Sequence, residues 1–319
     1  MATIVSTQAM NLVEAQKRAG YKDAAAFLGE LVKRNDLLQF APWFASSDGA
    51  FHKWLQATRL GNGAFTKANG PVPIISSNSD TKIEPISFYQ ADSIVDDVIL
   101  KTAKDKAKVR DSEDVANLQG FTNDWIYQLI YGVNEKEGFT GLAQRRAKID
   151  SKHVWDEGGT GSDLSSIWLF EFGERGFNFR YAEGTQPGIS SKDYGRMRVP
   201  TPAADGFMHA WLRHYEIAAG MEIKNEKALL RLANIESGAS TLTASNWIKM
   251  KNQLPNVGRD AMGFCNRTIH AVIESAAYEK GNMAFSIQDV EGFGPVTRYV
   301  GVPVMMMETI LDTETALTA

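Results

Sequence analysis

Residues 138–184 read GFTGLAQRRAKIDSKHVWDEGGTGSDLSSIWLFEFGERGFNFRYAEG, and the fold turns on how this stretch is interpreted. Its centre, Gly158-Gly159-Thr160-Gly161-Ser162-Asp163, has the glycine density of a phosphate-cradling loop. A Walker-type loop needs a Lys and a Ser or Thr directly after its last Gly, opening a helix whose N-terminus faces the anion. No Lys follows here. The next residues, Ser166-Ile167-Trp168-Leu169-Phe170-Glu171-Phe172, are β-branched and aromatic, which predicts a strand. The stretch reads as a glycine-rich turn feeding a buried strand.

On its N-terminal side lies the clearest helical pattern in the chain. Asp111 or Ser112 caps it, Glu113 and Asp114 sit in the first turn where acids favour the dipole, and Val115, Leu118, Thr122, Trp125, Ile126 and Leu129 recur at helical spacing. The spacing predicts a helix over 112–131, closed by Gly132 in the left-handed conformation. Before it, Lys101, Lys104, Lys106, Lys108 and Arg110 form a basic run broken by Asp105. No aromatic residues interleave to stack on bases, so the run predicts a solvated face or a subunit contact. The pattern turns helical from Asp92; Asp92, Asp96 and Asp97 have no neighbouring His and read as solvated charges.

Residues 46–92 read as two strands around a long, weak centre. Phe51 to Arg59 is extended in character, and Thr81 to Gln90, with Ile83, Ile86 and Phe88, is its expected partner. Gly61, Asn62, Gly63, Gly70, Pro71, Pro73 and Ser76 to Ser79 between them are turn and loop formers. A loop this long points to function, and a two-stranded projection buries little by itself, so it calls for a partner subunit. Residues 1–45 are thinly hydrophobic. Asp23 caps a helix with Phe27, Leu28, Leu31 and Val32 on one stripe, too little for a core of its own.

On the C-terminal side, Met208 to Lys224 is long enough for one bent strand or two. His209 and His214 are five apart, on opposite faces of a strand, and cannot share an ion without a bulge. Short helices are expected over 226–235 and over 241–254, the second with Leu242, Trp247, Ile248 and Met250. Asn266 caps a helix with Ile269, Val272, Ile273 and Ala276, while 283–287 and 295–307 are strand-like, the last with core methionines at 305–307. The alternation predicts an α+β layer structure.

The chain has 319 residues, 44% of them hydrophobic, which supports one composite domain or two interleaved ones. A net charge of −4 argues against a nucleic-acid binder, which is normally basic, yet suits a container for DNA whose wall should not grip phosphates. Cys265 is the only cysteine, so neither an intrachain disulfide nor a paired-thiolate metal site is available. No signal peptide or transmembrane run is apparent, and a soluble protein made in the cytoplasm of its producer is expected. No nucleophile elbow, His-Glu-x-x-His or paired Cys occurs, and on a helix His270 would face away from Cys265. No catalytic, cofactor or metal site is expected. Two function classes stand: a self-assembling protein, and an enzyme with a site scattered among loops.

Several ordered blocks carry a resemblance. FTGLAQRR (139–146), GGTGSDLSSIWL (158–169) and the YAEG turn (181–184) look like the signature of the major capsid proteins of short-tailed bacteriophages. DYGRMRV (193–199), WLRHYEIAAGMEIKN (211–225), LLRLANIES (229–237), CNRTIHAVI (265–273) and GPVTRYVGVPVMMMETI (294–310) continue it in the same order, over most of 35–310. The resemblance favours a capsid over an encapsulin. It implies the Hong Kong ninety-seven type of phage major capsid fold. The parts expected are an N-terminal arm (1–45), an extended β-hairpin loop (46–92), a peripheral domain (93–150 and 190–235) with its spine helix at 112–131, and an axial domain with closing strands (151–189 and 236–319).

The arm then reaches along a neighbour, the alternative being a helix packed on its own domain, and the loop lies over an adjacent subunit. Expected contacts are Phe27 and Leu31 of the arm and Trp54, Arg59, Lys67 and Lys82 of the loop. Implied partners are further copies in hexamers and pentamers, a portal protein, optional decoration proteins and packaged double-stranded DNA, with no membrane. Only about forty-five residues precede the loop, without a long charged coiled-coil pattern, so the scaffolding protein is expected to be separate. The product is a virion capsid assembled in the host bacterial cytoplasm. Some relatives join a loop Lys to a neighbour's Asn, but Lys67 has no acid closer than Asp48 or Asp80 in sequence, and none of Asn252, Asn256 and Asn266 stands out as acceptor. A shell without covalent links is expected.

Overall fold

The strand expected after Gly161 runs from Leu164 to Glu171, and every residue in it is buried. Side chains alternate across a strand. Ile167 and Leu169 therefore enter one hydrophobic cluster while Trp168 and Phe170 enter another. One strand serves two cores, and the sheets and helices are arranged on either side of it.

The computed structural model describes residues 35–133, 138–201, 206–236, 242–256, 260–278, 285–290 and 294–318. Phe27, Leu31 and the arm helix lie outside them. In chain order the strands are β1 (Trp43–Ala45), β2 (Phe51–Arg59), β3 (Asn78–Pro85), β4 (Ser87–Asp96), β5 (Val154–Asp156), β6 (Leu164–Glu171), β7 (Phe177–Tyr181), β8 (Ile189–Pro200), β9 (Phe207–Ile223), β10 (Leu229–Glu236), β11 (Ala261–Cys265), β12 (Phe285–Val290), β13 (Gly294–Tyr299) and β14 (Val302–Met306). The longer helices are α1 (Asp97–Thr102), α2 (Lys106–Tyr131), α3 (Ala244–Lys251) and α4 (Arg267–Tyr278).

One sheet has the order β12-β13-β14-β11-β6-β10-β5, and a second has β1-β7-β9-β4 with β8 also on β9. Among the described residues β2 and β3 form a two-stranded sheet of their own. Helices α3 and α4 cover one face of the first sheet, where Trp247, Met250, Ile269 and Ile273 join Ile167, Leu230 and Val304. Asn266 caps α4, its Oδ1 accepting from the Ile269 N–H at 2.8 Å. β9 is a single strand of 17 residues, and alternate residues Tyr215, Ile217, Ala219, Met221 and Ile223 face the larger core.

Across that core lies α2, of 26 residues, and several details differ from the sequence expectation. The helix begins one and a half turns early, at Lys106, because Asp105 and not Asp111 or Ser112 caps it by accepting from the Lys108 N–H at 3.1 Å. Trp125, Ile126 and Leu129 are buried, but Val115 and Leu118 are 43% and 36% exposed. Val115 lies ~80° round the helix from Trp125. Near Leu118 the helix meets the sheet through polar groups: Asp114 and Asn117 bond Ser93, and Tyr215 donates to the Asp114 carbonyl. Gly132 has φ −56°, not a left-handed value. It must be Gly because an added Cβ would lie 2.3 Å from the Gln128 carbonyl oxygen.

Other expectations fail as well. Thr81 to Gln90 is not one strand: β3 stops at Pro85, which has no N–H to donate, and Ile86 turns inward against Ala182 and Ala218. The pattern is still a strand at Asp92, and helix begins only at Asp97. Residues 226–235 are a single 3₁₀ turn followed by β10, buried almost throughout. A strand buried on both faces has a continuous apolar run, which periodicity cannot distinguish from a buried helix. On α3, Trp247 and Met250 are buried and Ile248 is 42% exposed.

Candidate functional site

Three consecutive amides of the glycine loop at 158–161 are already engaged within the subunit. Gly158 N–H donates to Asp156, Gly159 N–H to the Asn234 carbonyl at 3.0 Å, and Thr160 N–H to Glu236. Cys265 is buried, and burial pushes its thiol far above the ordinary range. No cluster of three His, Cys, Asp or Glu suited to a metal occurs among the described residues. Asp96 caps α1, and Asp97 pairs with Lys101 and Arg196. His214 meets Asp92 at 2.6 Å, and strand alternation sends His209 to the opposite face. Arg110 pairs with Asp193 at 2.6 Å and lies over Trp211, so part of the basic run is spent inside the subunit.

The unsatisfied surface lies elsewhere, on the β2–β3 hairpin and its tip. From Lys53 to Ile83 no residue is buried. Leu55, Phe65, Val72 and Ile74 are 67–110% exposed, which a soluble single subunit rarely shows over one projection. Of the expected contacts, Trp54 and Lys82 stand directly opposite across the ladder. Arg59 donates to Ser76 Oγ at 2.9 Å and closes the neck of the tip. Lys67 is exposed within the tip turn, where its carbonyl accepts from Gly70 N–H at 2.9 Å and Asn69 has φ +63°.

The root of the hairpin holds groups the sequence did not single out. His52 Nε2 donates to Glu222 Oε1 at 3.1 Å, and its Nδ1 accepts from Ser47 N–H at 3.2 Å. Glu222, fully buried, also accepts from Asn178 at 2.8 Å and from Arg180 Nη2 at 2.6 Å. Burial alone would raise the Glu222 carboxyl, but hydrogen bonds from Arg180, Asn178 and His52 more than offset it and hold it low. Glu84 pairs with Arg145; burial raises its pKa and Arg145 only partly offsets that. Ser47 apart, these partners are 42–170 positions from one another in sequence, so no local pattern could have marked them.

A family model described as major capsid protein GP7 matches residues 22–318. The chain belongs to that family. A search of curated proteins returns no match. Among solved structures, the chain is similar to that of bacteriophage Epsilon15, with a TM-score of 0.69 and 22% identity over all of both chains. The bacteriophage JBD30 capsid scores 0.49 at 8% identity, covering 89% of this chain and 93% of that one. The holo-SrpI encapsulin of Synechococcus elongatus PCC 7942 scores 0.47 at 10%, covering 71% and 95%. The fold is the Hong Kong ninety-seven type, and this member of the capsid family is a structural shell subunit, not an enzyme. Its place is the phage capsid, in shells built from hexamers and pentamers of the one chain.

Proposed function

We propose that the subunit closes its shell by laying the β2–β3 hairpin over an adjacent copy, with Trp54, Arg59, Lys67 and Lys82 on the contact surface. The arm residues Phe27 and Leu31 reach the neighbour as a second contact. One observation carries this: no residue of the hairpin from Lys53 to Ile83 is buried, while it presents large apolar side chains. Fully burying one such side chain is worth ~1.5–3 kcal/mol. Several per hairpin, repeated around every capsomer, make dissociation slow although each contact is modest. Contacts of this head-to-tail kind generate closed rings when the rotation between neighbours closes.

The proposal extends to the division into arm, loop, peripheral and axial parts, to double-stranded DNA as the enclosed cargo, and to assembly in the host bacterial cytoplasm. A separate scaffolding protein, a portal at one vertex and optional decoration proteins complete the partners. The test replaces residues 62–78 with a short Gly-Ser turn. The variant is expected to stay folded and to yield few closed particles by electron microscopy. Closed shells at the wild-type yield would overturn the proposal.

A further inference from the structure

Between Phe51 and Pro85, only His52 and Glu84 are buried. They face each other across the hairpin ladder, so the buried part of the projection's footing is one cross-strand pair. Each member is tied to a different part of the body. His52 binds Glu222 of β9, which Asn178 and Arg180 of β7 hold in turn. Glu84 binds Arg145, whose Nε donates to the Thr140 carbonyl at 2.9 Å in the turn after α2. That turn is fixed on the helix end, since Gly141 N–H donates to the Gly132 carbonyl at 2.9 Å. Backbone contact is also close: a Cβ on Gly220 of β9 would lie 2.9 Å from the Pro85 carbonyl oxygen.

We propose that His52 and Glu84, through Glu222 and Arg145, form an orientation clasp that sets the angle of the hairpin to the body before assembly. Two points on opposite strands, tied to two different elements, fix a direction where a single tie would leave a swivel. With either tie cut, the hairpin swings about the junctions at residues 50–51 and 85–86. A hairpin already aimed at its neighbour loses less conformational freedom on docking, which is the general gain from preorganisation. The residues act by positioning, and their role in assembly rests on the docking proposed above. The clasp itself is a property of the single subunit.

The test uses spin labels on Thr66→Cys at the tip and Ser245→Cys on α3; Cys265 is buried and is not labelled. In unassembled subunits the tip-to-body distance distribution is expected to be narrow. Glu84→Arg or Arg145→Glu alone should broaden it, and the two together should narrow it again by restoring the pair in reverse. His52→Ala, the variant of choice if a charge reversal unfolds the body, should also broaden it. Assembly of each single variant should slow about tenfold, with recovery in the swap. A broad distribution in the parent protein, or singles as narrow as the parent with circular dichroism unchanged, overturns the clasp. Failure of all three single variants to fold also overturns it, because the pair then supports the body and not the hairpin's direction. Distances that follow the clasp while assembly rates stay constant support the clasp and overturn the docking.

Discussion

Replacing Trp125 by Ala separates the two kinds of residue that helical spacing alone placed together on α2. Trp125 is 1% exposed, with its ring 5.6 Å from Phe179 on β7 and 6.3 Å, edge-on, from Phe139. Truncating a buried Trp costs ~3–5 kcal/mol, through lost transfer energy and the cavity left behind. The two ring contacts contribute ~0.5–1.5 kcal/mol each beyond area, which favours the upper end of that range. Against a typical domain stability of ~5–15 kcal/mol, the loss is a third or more. Val115→Ala, at a 43% exposed position, should change stability by no more than ~0.5 kcal/mol. The assay is urea unfolding of dilute, unassembled subunits, because assembly adds stability by mass action. An unchanged midpoint for Trp125→Ala, or an equal fall for Val115→Ala, would refute the packing argument.

Arg231 is 3% exposed, pairs with Glu314 at 2.9 Å and donates to Ser166 and the Arg146 carbonyl, fastening the C-terminal segment to β6 and β10. Arg231→Met strands the buried Glu314 carboxylate and should cost ~3–5 kcal/mol, much of it recovered by adding Glu314→Leu; both are read from unfolding midpoints. His52 has a pKa held below 6.5 by burial, with Arg180 and Lys224 adding to the effect and the Glu222 hydrogen bond opposing it. A released hairpin therefore takes up a proton that the clasped one refuses, so the clasp is at full strength above 6.5 and weakens as pH falls through that value. Protection factors of the β2 amides, with the intrinsic pH dependence of exchange divided out, should fall between neutral and mildly acid pH, and His52→Gln, which leaves Glu84, Glu222, Arg145 and Arg180 in place, should flatten the fall. Lys67 forms no ion pair among the described residues, so assembled particles boiled in detergent and reductant should run as one band at 35.2 kDa, whereas a ladder abolished by Lys67→Ala would disprove this.

The parts that were legible in the sequence owe their legibility to local chemistry. The Trp168 strand announced itself by aromatic and β-branched residues after a glycine turn, and the hairpin by glycine and proline between two extended runs. The lower half of α2 was readable because Trp125, Ile126 and Leu129 meet an apolar core. Its upper half was not, because Ser112, Glu113 and Asp114 are buried there and Asp114 meets polar and charged groups of β4 and β9. Lysines at 106 and 108 masked the true cap at Asp105. The sequence of β10 reads as a helix because burial on both faces erases the two-residue alternation. The footing of the hairpin could not be read at all. His52 and Glu84 are unremarkable polar residues until the fold brings Glu222 and Arg145 to them.

The docking of the hairpin on a second copy is tested most directly by a high-resolution electron microscopy reconstruction of assembled wild-type particles. Closed icosahedral shells are expected, with the hairpin lying across the adjacent subunit and Phe65 and Ile74 covered by it. Shells in which residues 53–83 fold back on their own subunit or remain in solvent, or open particles without capsomers, would contradict the account.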